Sequence, residues 1–148
     1  MNEDRFSFQE AYDLFDDDKP FDDLTHPLSK EMRTVLAKAT SKLPKKVIEW
    51  VLGKVIFVSS NEQPAYCVSN LPKHFRGIIF LSDCLLCESE ERQAFIIAHE
   101  IAHFKLKHKL AMFTSLTEEE IEKEQNEASQ LAATWLHLDL SKITEDKT

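Results

Sequence analysis

Glycine is scarce in this chain: Gly53 and Gly77 are the only two among 148 residues, so turns fall to proline and polar clusters. Cysteine is sparse and odd in number (Cys67, Cys84 and Cys87), which does not make a disulfide framework. Long apolar runs are missing. The longest, such as Ala94 to Ala98, fall far below the ~20 residues of a membrane helix, so no membrane partner is expected. The net charge is -8 and there is no basic stripe, which argues against nucleic acid as the main partner. The first residues are acidic and polar rather than basic and then apolar. No signal peptide is read there, and a cytoplasmic location is the expectation.

What is present suits one folded domain: 43% hydrophobic and 30% charged residues in a chain too short for two domains. The charge is uneven. Residues 1–23 carry nine acids against Arg5 and Lys19, whereas residues 30–54 carry seven Lys or Arg against Glu31 and Glu49. A solvated, self-repelling leader is the simpler expectation, with folding back over the basic stretch as the alternative. The division is therefore an acidic, partly ordered leader over 1–24, a single domain over 25–140 and a polar tail over 141–148.

Apolar residues at 28, 32, 35, 36, 39 and 43 recur at helical spacing up to Pro44, and a short helix follows through Val47, Ile48, Val51 and Leu52. Phe8, Tyr12 and Phe15 suggest a further short helix in the leader. The character changes at Lys54. KVIFVS (54–59), AYCVS (65–69) and RGIIFLS (76–82) are β-branched and aromatic and read as a small sheet. Helical character returns after Ser89, an N-cap followed by Glu90 and Glu91. Thr117 and Glu120 form a capping box that opens the last helix. Two helices, three strands and two long helices make an α+β domain rather than a parallel βαβ fold.

The first of the two long helices carries His99-Glu100-Ile101-Ala102-His103. Residues four apart share a helix face, so the two imidazoles can aim at one point. Zinc bound there sits about 2.0–2.1 Å from each nitrogen. Glu100 lies beside that point, placed to take a proton from a zinc-bound water and return it to the leaving group. Ala98, Ile101 and Ala102 surround the histidines, which favours a buried metal site over two histidines on a solvated face. The expected cofactor is one Zn2+ per chain.

A catalytic zinc needs a third protein ligand and an open position. The extended metzincin pattern would place a glycine and a histidine where Leu106 and Lys109 stand. His108, nine residues from His99, points roughly the other way. That leaves an acid on the following helix, among Glu118, Glu119, Glu120, Glu122, Glu124 and Glu127. Those at the capped start face solvent or satisfy the helix terminus. Glu127, beside the small Ala128, is preferred; Glu124, one turn earlier, is the alternative.

The stretch GIIFLSDCLLCESEERQAFIIAHEIAH resembles the strand-then-HExxH segment of ImmA/IrrE-like metallopeptidases and the minimal gluzincins, and NEASQLAATWL resembles their downstream glutamate helix. The likeness covers about residues 76–136. It implies a zincin-like fold, with a small mixed three- or four-stranded sheet packed on the HExxH helix and a following glutamate-bearing helix. It also implies zinc held by His99, His103 and Glu127, with Glu100 as general base and acid. Two positions depart from the family's pattern. Ser129 stands where an acid or amide is common, and Gln125 where another Glu is usual.

The expected activity is hydrolysis of peptide bonds in a peptide or protein substrate. That substrate would lie along a strand edge near residues 74–82, with His74, Tyr66 and His137 as candidates to stabilise the oxyanion. Two other readings stand beside this one. In a non-catalytic zinc protein, Cys84 and Cys87 would close a four-ligand site with the histidines. In a regulatory protein, the substrate would be one dedicated repressor or antitoxin, and the leader a latency or docking element. The Cys84–Cys87 pair lacks a second ligand pair and a βαβ context, so half-buried, inert thiols are expected.

Overall fold

The structure, a computed structural model, describes residues 4–15, 29–52, 54–60, 65–68, 77–106 and 117–141. His74, His108, Gly53 and the Asp16 to Asp18 run of the leader lie outside the described residues.

Helix α2 (Lys30–Ser41) forms because its apolar residues share one stripe. Met32, Val35, Leu36 and Ala39 are buried, and Leu43 continues the line past the helix end. Ser29 caps it by accepting from the Met32 N–H at 3.1 Å. Pro44 has no N–H to continue that ladder, and α3 (Lys45–Leu52) starts directly after it, burying Ile48 and Val51. Helix α1 (Phe8–Leu14), opened by a Ser7/Glu10 capping box, packs on α2. Arg33 of α2 donates to the Tyr12 carbonyl at 2.9 Å and lies 3.8 Å from the Tyr12 ring centre. Ala11 is fully buried, and Phe15 meets Phe57 edge-on at 5.6 Å. The leader's first stretch, Asp4 to Phe15, therefore shares the core, and Arg33 and Lys45 of the 30–54 stretch hold it there.

Three strands form one sheet among the described residues: β1 (Val55–Ser60), β2 (Ala65–Val68) and β3 (Gly77–Ser82), in the order β1-β3-β2. β1 runs parallel to β3 with Phe57 opposite Ile79, and β2 runs antiparallel to β3 with Tyr66 opposite Phe80. β3 is thus central, and its alternate residues Ile79 and Leu81 are fully buried. This corrects the expected substrate edge. Over 78–81 the chain is paired on both sides, so the middle of β3 presents no edge to a peptide.

β3 runs into a 3-10 turn, Asp83–Cys87, that no periodicity in the sequence announces. Leu85 is fully buried there, and its carbonyl accepts from the buried Gln93 side chain at 3.0 Å. Residues three apart eclipse in such a turn, so Cys84 and Cys87 share one side of it, turned away from that of Leu85. Both thiols are exposed, where half-buried ones were expected.

Helix α4 (Glu90–Lys105), capped by Ser89, packs against α2, the sheet and α5 (Glu118–Leu136). It buries Ala94, Phe95, Ile97, Ala98, Ile101 and Ala102, which fall within about half of its circumference. The face of α5 in the core carries fully buried Ala128 and Ala132, small enough to let two helices approach closely. His137 ends α5 in the left-handed conformation at φ 55°, and the Leu138 N–H closes the cap on the Ala133 carbonyl at 2.9 Å. Arg5 reaches the Lys42 and Trp135 carbonyls and His137 Nε2, gathering the C-terminal ends of α2 and α5 where helix dipoles favour a cation.

Candidate metal centre

His99 and His103 leave one face of α4 a turn apart, with ring centroids separated by 4.7 Å and Nε2 atoms by 3.0 Å. Phe95, one turn earlier, meets the His99 ring nearly perpendicular with centroids 6.0 Å apart, and so limits its rotation. His103 is buried and His99 half-buried. From α5, Gln125 brings its Oε1 to 2.7 Å from His99 Nε2 and 3.2 Å from His103 Nε2. Two helices thus contribute three atoms to one small triangle.

Hydrogen bonds alone account for it poorly. Each Nε2 carries at most one proton and the amide oxygen none, so at most two protons serve three close approaches. A cation satisfies all three together. The three atoms lie 2.7 to 3.2 Å apart, close enough for one cation to contact them all. The residues present therefore fit a bound metal.

The register of α5 decides which residue takes part. Gln125 stands one turn before Ala128, on the flank of α5 that reaches the histidines. Glu127 leaves the helix about 200° further round, and Glu124 about 100° the other way. Both are half-buried. Among the described residues, no three His, Cys, Asp or Glu side chains come together to hold a metal. Neither Glu127 nor Glu124 is therefore brought into a triad with His99 and His103, and Cys84 and Cys87 do not close a four-ligand set with them. Gln125 was legible as the first member of a Gln125, Ala128, Ala132 line at helical spacing. It is passed over when only acids are considered.

Glu100 follows His99 on α4, half-buried. His137 is a helix cap tied to Arg5, twelve residues and about 18 Å along α5 from Gln125, so it takes no place beside the histidines. The side chain of Tyr66 lies outside the described residues, as does all of His74.

The α+β core thus sets an HExxH helix beside a polar side chain of a neighbouring helix, and the family match makes it a metallopeptidase-like domain. Residues 54–145 match the family model of the IrrE N-terminal-like domain, a peptidase family, and the chain belongs to that family. The match takes in the sheet, α4 and α5 and begins after α3. No curated protein and no solved structure matches the chain. No described helix is long and apolar enough to cross a membrane.

Proposed function

We propose that the chain is a zinc-dependent peptidase of zincin-like fold. The observation that carries this reading is the convergence of His99 Nε2, His103 Nε2 and Gln125 Oε1, with Glu100 next in sequence to the first of them. His99 and His103 hold one zinc ion. Zinc bound there would polarise the scissile carbonyl and make water a nucleophile at neutral pH. Glu100 takes the proton of the attacking water and returns it to the leaving amine nitrogen. A peptide substrate lies extended along the outer edge of β2, the strand that touches α4 and pairs on its other side with β3.

The test is Glu100→Gln. Hydrolysis of an unstructured protein substrate should fall at least about 100-fold, the usual contribution of a positioned general base. Zinc content by metal analysis should stay at the wild-type level. A Glu100→Gln enzyme that turns over at the wild-type rate removes Glu100 from the mechanism.

A further inference from the structure

We infer that Gln125 is the third metal donor, and that this chain holds zinc in an all-neutral shell weak enough for occupancy to follow the supply of free zinc. The inference rests on the zinc reading of the site and assigns it a donor and an affinity class. Its first support is distance, since Gln125 Oε1 approaches both imidazole nitrogens within 3.2 Å. Its second is register, since packing at Ala128 and Ala132 puts position 125 over His99 and His103.

The chemistry follows from the donor types. Two neutral imidazoles and an amide leave the dication's charge uncompensated within its own shell. A carboxylate at the same place would offset one unit of it and add a charge–charge attraction that a neutral amide lacks. Gln125 is also an exposed residue with a long side chain, so fixing its amide on the metal costs rotamer freedom. Both effects lower affinity, while the geometry of the site is kept. Occupancy then rises and falls with free zinc over a concentration range in which a carboxylate-bearing site would stay filled.

The experiment is a zinc titration of the full chain in competition with a chromophoric chelator. The variants are Gln125→Glu, Gln125→Ala, Glu127→Gln, Glu124→Gln and His99→Ala, each shown folded by thermal unfolding. Gln125→Glu should tighten binding about tenfold or more, and Gln125→Ala should weaken it by a similar factor, the lower end of what even outer-shell changes do to metal sites. Glu127→Gln and Glu124→Gln should stay within about threefold of wild type. Cobalt(II) substituted for zinc should show a visible spectrum that both Gln125 variants alter. Wild-type affinity in Gln125→Ala, with zinc still lost in His99→Ala, overturns the inference and leaves the zinc reading standing. A wild type that binds as tightly as Gln125→Glu overturns the neutral-shell argument. If neither wild type nor Gln125→Glu takes up zinc, the proposed function falls with it.

Discussion

Replacing Ala128 by Leu should damage the fold and the metal centre together. Ala128 is fully buried on the face of α5 that packs on α4, with fully buried Ala132 a turn later. Leucine adds three heavy atoms at a fully buried position, and overpacking there costs about 1–3 kcal/mol. For a chain of this length that is roughly 2–12 °C in melting temperature. Ala and Leu differ little in helix propensity, so the loss would report packing rather than helix formation. The same substitution must push the helices apart one turn, about 4.5 Å along the axis, from Gln125. The contacts there are 2.7 and 3.2 Å long, so a displacement of about 1 Å takes the amide out of reach of both imidazoles. Zinc affinity should therefore fall about tenfold, as in Gln125→Ala. The assay is a calorimetric melt paired with the chelator titration, with Gln130→Leu on the exposed side of α5 as control. An Ala128→Leu protein with an unchanged melting temperature and unchanged zinc affinity would refute the claim that this contact sets the site.

Two further predictions test the frame around the site. Arg5→Ala removes a cation from two helix-end carbonyls and a histidine nitrogen. Hydrogen bonds to charged groups contribute about 1.5–3 kcal/mol, and partial rehydration of these acceptors leaves an expected loss of about 2 kcal/mol. Urea unfolding should show it, and a midpoint equal to wild type would mean that the leader is not clamped by Arg5. The second concerns acid. The Lys38 ammonium, 2.7 Å from Glu90 across the α2–α4 contact, holds that carboxyl below its ordinary value of 4.5. A folded-state value below the unfolded one means that the contribution is present above about pH 4.5 and is lost as pH falls through the lowered value. The pair is exposed, so its effect on stability is small. An NMR titration of Glu90 should move up to the ordinary value in Lys38→Met, and an unmoved titration would show that the ammonium is not the cause.

The starts of the two long helices were the most legible features because capping is local chemistry. Ser89 and Thr117 each accept from a backbone N–H three residues on, and α4 and α5 begin directly after them, whereas the Ser29 cap of α2 was not read from the sequence. The apolar stripe of α2 and the α+β order were legible for the same reason, since period depends on near neighbours only. Strand order was not. KVIFVS, AYCVS and GIIFLS are alike in composition, and only pairing makes the third central and denies its edge to a substrate. The 3-10 turn over Asp83–Cys87 is five residues long and too short to show a period, so the exposure of Cys84 and Cys87 could not be anticipated.

The candidate site divides along the same line. His99 and His103 are four apart on one helix, so their meeting is fixed by local geometry. The donor that joins them comes from a second helix, and its identity depends on where that helix is gripped. Ala128 and Ala132 supply the grip, and they turn position 125, not 127, toward the imidazoles. Glutamine and glutamate have nearly the same shape, so the helix pair builds the same triangle with either at that position. The packing that makes the geometry is therefore silent about the charge placed within it. In this chain the family is that of a peptidase domain while the side chain at the third corner is neutral, and on the zinc reading that charge would govern how firmly a dication is held.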